Sequence, residues 1–255
     1  MSAGLKLKLE TRLRSHNELR RASLKLETIN LQQTARPQSP KATAMPNLVL
    51  LRHGESQWNL ENRFTGWVDI ALSPKGREEA HQAGEKLKSY KFDKAYTSVL
   101  KRAIDTLNIV LKIIGQEKIP IEYDKALNER HYGALQGKNK AETGQIYGEK
   151  QLKLWRRSYD VPPPKDVTEL NPDGVSESLK DTAARTLPYF ESTIIPDVLA
   201  GKDIIVAAHG NSLRSIVMKL DNLTKAEVIE LNIPTGVPLL YRYDTKGNIL
   251  EHRYL

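Results

Sequence analysis

The sequence predicts an α/β fold with a parallel or mostly parallel central sheet, on three observations. From Asn47 onward, short apolar runs alternate with longer segments of helical periodicity. Two of those runs, Leu48–Leu51 and Ile204–Ala208, read as buried strands that lead into the pairs His53-Gly54 and His209-Gly210. Each pair is followed by small polar residues that open a helix. In open α/β sheets ligands bind beyond the carboxyl ends of the strands, so two such strands can deliver both imidazoles to one pocket. One His in this position is more often structural than catalytic; two in matching contexts point to a shared site.

The elements follow in order. After the first strand, Ser73-Pro74 reads as an N-cap followed by proline at the first helical position, and the helix runs to about Tyr90. Phe92–Ser98 is a second strand, Leu100–Ile114 a helix closed by Gly115, and Ile119–Tyr123 a short strand. Leu100, Ala103, Leu107, Val110 and Ile114 share one face of that helix and belong to the core. Asn128–Lys138 is a loop, with helices at Asn139–Tyr147 and Glu149–Arg157. Asp160–Val175, rich in Pro and Asn, is irregular; a long helix follows from Ser176, with Pro188 and Pro196 placed to kink or end it. The strand leading to His209, helices from Asn211 and Thr224, and a hairpin of Val237–Asp244 and Asn248–Tyr254 complete the body.

The chain has 255 residues, no cysteine and a formal charge of +8. That length accommodates one α/β domain of roughly 200 residues. Without Cys there is no disulfide, no cysteine metal site and no thiol nucleophile, which suits a reducing compartment. No apolar run reaches the ~18–20 residues of a membrane span. The charge is unevenly spread: residues 1–44 hold nine Lys/Arg against three Glu, leaving the body, 45–255, at a formal +2. A near-neutral body argues against a nucleic-acid surface. In the basic extension, Leu5, Leu9 and Leu13 fall at i, i+4 and allow a short amphipathic helix. Three readings of it stay open: an organellar transit segment, against which its Glu residues count, a disordered tail, or an extension upstream of a start at Met45.

A strand ending in Arg52-His53-Gly54 brings a guanidinium, an imidazole and backbone N–H groups to one point, which is equipment for holding a phosphate and attacking its phosphorus. An unperturbed imidazole is largely neutral at pH 7, so His53 is the candidate nucleophile. The N-terminus of the helix behind it is expected to offer N–H groups to phosphate oxygens. His209 is available to hydrogen-bond those oxygens as charge redistributes. Phosphoryl transfer depends mainly on positioning and electrostatic stabilisation, so further cations are expected. Arg102 stands at a helix start, Arg130 and Lys140 flank the loop after Asn128, and Arg156-Arg157 form a neighbouring pair. On a regular helix such neighbours point about 100° apart, so both reach one small anion only from a helix end. Lys101, Lys138 and Lys150 are assigned to solvated faces. Glu129 is the candidate acid–base group, its carboxyl either raised by burial or held ionised by neighbouring Arg. No His-Glu-x-x-His, His-x-His or Cys pattern is present, so no metal is expected. His131, two residues from Glu129, is assigned either a structural role or one that supports the site residues from behind.

The segments Arg52-His-Gly-Glu-Ser-Gln-Trp-Asn59, Arg63-Phe-Thr-Gly-Trp67, Tyr96-Thr-Ser-Val-Leu-Lys-Arg102, Leu127-Asn-Glu-Arg-His-Tyr-Gly-Ala-Leu-Gln-Gly137, Trp155-Arg-Arg157 and Ala208-His-Gly-Asn-Ser-Leu-Arg214 resemble the cofactor-dependent phosphoglycerate mutases of the histidine phosphatase superfamily. The resemblance runs from about Asn47 to the C-terminus and implies a three-layer α-β-α sandwich around a mostly parallel sheet. It implies that His53 is the phosphorylated nucleophile, Glu129 the proton donor and acceptor for the substrate hydroxyl, and His209 a stabiliser of the transferring group. Arg52, Ser56, Asn59, Arg102, Gly210 and Asn211 would line the phosphate site, with Thr65 and Gly66 adding backbone contacts. Arg130, Tyr132, Lys140, Arg156 and Arg157 would grip a distal phosphate or carboxylate.

The implied reaction interconverts 3-phosphoglycerate and 2-phosphoglycerate, primed by 2,3-bisphosphoglycerate and without metal, in glycolysis and gluconeogenesis. The protein is then expected to be cytoplasmic, or organellar if residues 1–44 are a transit segment. Its partners would be small phosphoglycerates rather than nucleic acid or membrane. The connection Asp160–Val175 is shorter than the insertion of many relatives, so a monomer or weak homo-oligomer is expected. Many relatives continue beyond the position of Leu255 into a tail over the site, so more phosphatase leakage is expected here. Two alternatives remain. One is a bisphosphoglycerate synthase or broad phosphatase on the same scaffold, against which Ser56 and Thr65-Gly66 count. The other is an inactive binding protein, against which the presence of His53, Glu129 and His209 counts.

Overall fold

A computed structural model describes residues 45–255; the expectations for residues 1–44 lie outside the described residues. Six strands, β1 (Asn47–Arg52), β2 (Lys94–Thr97), β3 (Ile121–Tyr123), β4 (Ile204–Ala208), β5 (Pro238–Tyr243) and β6 (Ile249–Tyr254), form one sheet in the order β3-β2-β4-β1-β5-β6. All pairings are parallel except those of β5, which runs antiparallel to β1 and β6. The helices are α1 (Gln57–Leu60), α2 (Pro74–Leu87), α3 (Lys101–Ile113), α4 (Lys140–Tyr147), α5 (Glu149–Arg157), α6 (Leu179–Tyr189), α7 (Ile195–Leu199), α8 (Gly210–Leu220) and α9 (Lys225–Glu230). None of the described helices is long and apolar enough to cross a membrane.

The period of two in a strand explains the three layers. Leu48, Leu50, Ile204, Val206 and Ala208 pack on one face with Phe190, Ile194, Val198, Leu213, Ile216 and Val217 from the second half of the chain. Val49, Leu51, Ile205 and Ala207 pack on the other with Ala83 and Leu87 of α2 and Leu107, Val110 and Leu111 of α3. Because both faces of β1 and β4 are covered, these strands read as unbroken apolar runs. The architecture is therefore a three-layer α/β sandwich, as expected.

Local signals act where they were read. The Ser73 side chain accepts from Gly76 N with Pro74 at the first helical position. Gly115, at φ +68°, follows the end of α3 in the left-handed region open to glycine. Pro188 and Pro196 do not end the long helix. Instead its ladder loosens into a π-helical stretch, Phe190–Ile194, between α6 and α7.

The segment after β1 departs from expectation. The helix there is a single turn, α1, that starts four residues beyond His53, and its Ser56 N-cap forms a closed capping box with Asn59. The amide of Gly54 donates to Thr106 Oγ1 at 3.1 Å, that of Glu55 to Glu79 Oε2 at 2.7 Å and that of Ser56 to Asn59 Oδ1 at 3.1 Å. The N–H groups expected to bind phosphate at this point are already satisfied within the protein.

Candidate active site

The register of β1 and β4 brings the two His-Gly pairs together. Arg52 pairs with Ala208 at the carboxyl ends of these adjacent parallel strands, and His53 N donates to Ala208 O at 3.0 Å. The next residue of each strand is a histidine, and the rings lie with centroids 4.9 Å apart, tilted by 60°. A cavity of about 250 Å3 opens beside them.

The tautomer of His53 follows from its partners. Its Nδ1 lies 2.6 Å from Gly54 O, which can only accept, so Nδ1 carries the proton. Its Nε2 is unprotonated, and its one lone pair accepts from Arg102 Nε at 3.3 Å. Burial first, then Arg102 and Arg52, keep the imidazole pKa well below 6.5. His53 is thus a neutral imidazole with its unprotonated nitrogen against a cation. His209 is fully buried behind it, and burial, then Arg102 and His53, hold its pKa well below 6.5 as well. Its Nε2 is 2.7 Å from Ser98 Oγ, while its Nδ1 is buried without a partner. Ser98, in the turn after β2, was not singled out by the sequence reading; its role depends on β2 lying beside β4.

Arg102 is seated by the start of α3, with 1% of its surface exposed. Nη1 donates to Val68 O at 3.0 Å and Nη2 to Gly66 O at 2.7 Å, so the guanidinium is clamped by the Thr65–Val68 turn. Burial lowers its pKa to about 10, which leaves it charged at neutral pH. Arg52 donates through Nη1 to Ile233 O at 2.8 Å, and its Nε has no partner.

Glu129 enters from the loop between β3 and α4. Its Oε1 accepts from Arg130 N at 2.7 Å, Asn211 Nδ2 at 2.7 Å and Asn211 N at 3.2 Å. No described donor reaches Oε2, and the side chain lines the cavity. The loop itself is held from behind by Arg185 of α6. That guanidinium donates to the carbonyls of Lys125, Ala126, Asn128 and Glu129 and to both oxygens of Glu177.

The expected residues Arg52, His53, Asn59, Thr65, Gly66, Arg102, Glu129, Tyr132, Lys140, Arg156, Arg157, Gly210 and Asn211 all line the cavity. Arg156 and Arg157 are the last residues of α5, the helix-end placement that lets neighbours face one space. Three expected residues stand behind this lining. Ser56 is fully buried, with Oγ against Asn59 Oδ1, because the capping box consumes it. Arg130 is buried with Nη2 on Tyr132 Oη and Arg156 O, and its Nε and Nη1 have no partner. His209 touches the site through His53. Lys101, Lys138 and Lys150 are exposed, as assigned. His131 accepts from Gly133 N through Nδ1 and packs edge-on against Trp67, a structural role.

The sequence reading missed Arg63, Phe64, Arg214 and the wall Leu231–Ile233, all of which line the cavity. Arg63 and Phe64 lie within the segment Arg63–Trp67 and Arg214 within Ala208–Arg214, one turn beyond Asn211 on α8. The wall reaches the site because Gly236 N donates to Arg52 O and Ile233 O accepts from Arg52, contacts that no local pattern encodes.

Solved structures with this architecture include "Mycobacterial hydrolase 1", 25% identical, with a TM-score of 0.67 over 82% of this chain and 97% of that one. A mycobacterial glucosyl-3-phosphoglycerate phosphatase in complex with VO3 is 26% identical, with a TM-score of 0.65 over 82% and 97%. A phosphoglycerate mutase from Bacillus anthracis str. Sterne shares the fold at 24% identity and a TM-score of 0.64, over 84% and 93%. The family model of the histidine phosphatase superfamily (branch 1) matches residues 48–254, which takes in every element from β1 to β6. With its two neutral histidines joined at the ends of β1 and β4, this chain belongs to the histidine phosphatase superfamily.

Proposed function

We propose that the protein interconverts 3-phosphoglycerate and 2-phosphoglycerate through a phosphohistidine at His53. The observation that carries this reading is the set of buried side-chain atoms without partners. Among the described residues there are six, and five belong to or adjoin the cavity: Arg52 Nε, Thr65 Oγ1, Arg130 Nε and Nη1, and His209 Nδ1. Buried polar atoms are nearly always satisfied, so a cluster of such groups calls for a ligand rich in acceptor oxygens. Seven cations line the cavity, Arg52, Arg63, Arg102, Lys140, Arg156, Arg157 and Arg214, against one carboxylate, Glu129. A small molecule carrying both a phosphate and a carboxylate, or two phosphates, fits that charge and the modest volume.

The His53 Nε2 lone pair, released from Arg102 Nε, attacks phosphorus, forming the N–P bond as the ester P–O bond breaks. The departing alkoxide takes a proton from Glu129, and in the reverse sense Glu129 removes the proton of the acceptor hydroxyl. Arg52, Arg102 and His209 stabilise the charge on the equatorial oxygens, a role filled here by guanidinium and imidazole groups rather than a metal. Lys140, Arg156 and Arg157 hold the end of the substrate that does not react. 2,3-Bisphosphoglycerate, when bound among these cations, supplies the first phosphoryl group to His53.

The glucosyl-3-phosphoglycerate phosphatase neighbour at 26% identity supports a second reading, hydrolysis of a phosphate ester that contains phosphoglycerate. Glu129 fits both, since it protonates the leaving alkoxide in either. The test is a coupled assay for 2-phosphoglycerate, run in EDTA with and without added 2,3-bisphosphoglycerate, beside an assay for inorganic phosphate. Interconversion that depends on the bisphosphate and outruns phosphate release supports the mutase; steady phosphate release without isomer exchange overturns it in favour of the phosphatase.

A further inference from the structure

We infer that Arg214 is a positioning residue for Glu129, acting through the side-chain amide of Asn211; the inference rests on the acid–base role proposed for Glu129. Arg214 and Asn211 lie at i and i+3 on α8, one above the other at its first turn. The Arg214 side chain is buried, with 6% of the residue exposed, and has no carboxylate partner among the described residues. Its Nε donates to Val228 O at 3.1 Å and its Nη2 to the same carbonyl. Val228 O is among the last four carbonyls of α9, which have no partner within a helix and carry its negative dipole end. One side of the guanidinium is therefore anchored on a helix terminus.

The other side sets the amide. Arg214 Nη1 donates to Asn211 Oδ1 at 3.1 Å, so the Asn211 NH2 must face the opposite way. There Nδ2 donates to Glu129 Oε1 at 2.7 Å and lies 3.4 Å from Tyr132 Oη. A flipped amide would set its oxygen against the carboxylate and its NH2 against the guanidinium, two repulsive contacts in place of two hydrogen bonds. Asn211 N adds a second donor to the same Oε1, and Arg130 N a third. With Oε1 held by three donors, the carboxyl is fixed with Oε2 left to exchange the proton. Arg52 and Arg102 also line the cavity, and an untethered carboxylate would turn toward them. A lysine at 214 keeps the charge but cannot span the Val228 carbonyl and the amide oxygen with a rigid fork.

The experiment is a double-mutant cycle on the full chain with Arg214→Gln, Asn211→Ala and both together, with Arg214→Lys alongside. It is read on monophosphoglycerate interconversion and, independently, on rapid-quench phosphorylation of His53 by β-glycerophosphate and by 4-nitrophenyl phosphate. In this first half-reaction the aryl ester needs no proton on its leaving group and therefore no Glu129, whereas the later attack of water on the phosphohistidine would need it with either ester. Arg214→Gln is expected to slow the alkyl reactions about 10- to 50-fold more than the aryl reaction, while the loss of one cavity charge raises KM for both alike, by less than about threefold. In the Asn211→Ala background its further effect falls below about twofold, and Arg214→Lys gives an intermediate loss. A raised KM with kcat intact, an equal loss on the aryl ester, or a full loss repeated in the Asn211→Ala background overturns the inference. If Arg214→Gln does not fold, Arg214→Lys carries the same cycle. A wild-type protein that fails to interconvert phosphoglycerates sinks the mutase reading alone, because the cycle remains readable on β-glycerophosphate.

Discussion

Glu129→Gln is the substitution that separates proton transfer from everything else this site does. The oxygen that is held, Oε1, accepts only from N–H donors, at 2.7, 2.7 and 3.2 Å. The glutamine carbonyl oxygen takes its place with all three bonds kept, and the NH2 falls where Oε2 pointed, toward the cavity. The variant therefore keeps shape and anchorage and loses the proton and one negative charge. General acid–base catalysis contributes typically about 10²–10⁴-fold, or about 3–5 kcal/mol of barrier. That loss should appear in full where an alkoxide departs or a hydroxyl attacks. It should nearly vanish where a phenolate departs, because that leaving group needs no proton. The assay is rapid-quench measurement of phosphohistidine at His53, with 2,3-bisphosphoglycerate and then 4-nitrophenyl phosphate as donor. Removing a negative charge beside Arg52 and Arg102 strengthens their field on the phosphate, so the aryl reaction should hold or rise slightly. An equal loss with both donors would refute the reasoning, since it would mean that Glu129 organises the site rather than moving a proton.

Acid should destabilise the fold through the two histidines. Both are neutral in the native state, while the unfolded chain takes up protons near pH 6.5. Stability is therefore full above about pH 6.5 and falls as pH drops toward the native values, by up to about 1.4 kcal/mol per pH unit for each imidazole. Urea melts at pH 7.5, 6.5 and 5.5 should show a shallower fall for His209→Asn than for the wild type; identical slopes would contradict the buried neutral pair. Gly76→Ala should cost about 3 kcal/mol or more, because its Cβ would stand 1.9 Å from Glu55 O, backbone that cannot rotate away. The check is chemical denaturation, and full stability in this variant would rule out the close approach of α2 to the His53 turn. Arg185→Met should cost about 2–3 kcal/mol by stranding four carbonyls and the Glu177 carboxylate. Its kcat should fall with the order of the Glu129 loop even though Arg185 does not line the cavity. Unchanged hydrogen exchange across residues 125–131 would count against that role.

The parts of this fold that local patterns encode were legible. Strands buried on both faces are apolar without interruption, so β1 and β4 stood out, and N-caps and Gly115 marked helix ends to within a few residues. The meeting of His53 and His209 was legible for a physical reason: each directly follows a strand, and adjacent parallel strands in register end together. What escaped depends on which way a side chain turns and on partners distant in sequence. Arg102 and Arg185 are both helical arginines beside apolar positions, yet one faces His53 and the other the back of the Glu129 loop, 56 residues away in the Glu129 contact. The turn after His53 misled for a related reason. Small polar residues after a strand suggest a helix N-terminus with free amides, but Ser56 and Asn59 close on each other, while Thr106 and Glu79 take the amides of Gly54 and Glu55. On this side of the cavity the donors for an anion are consequently side chains, Arg52 and Thr65 among them, rather than the N-terminus of α1.

That substitution bears on how so many cations share one cavity. The buried guanidiniums at the site are held by carbonyl oxygens: Arg52 by Ile233, Arg102 by Gly66 and Val68, Arg130 by Arg156, and Arg214 by Val228. Among the described residues none of these four is in an ion pair, whereas Arg185, which faces away from the cavity, is paired with Glu177 at 2.6 Å. A carbonyl dipole compensates part of the desolvation of a guanidinium and fixes its orientation without cancelling its charge. A carboxylate partner would do the first at the expense of the second, and a phosphate would then have to compete for a neutralised group. Glu129 is the exception within the cavity, and three N–H donors turn one of its oxygens away from the arginines. The positive potential at His53 is thus preserved for the ligand by the choice of neutral partners. That arrangement requires backbone carbonyls from four separate segments to converge, which is why the fold as a whole, and not the two histidine motifs alone, makes the site.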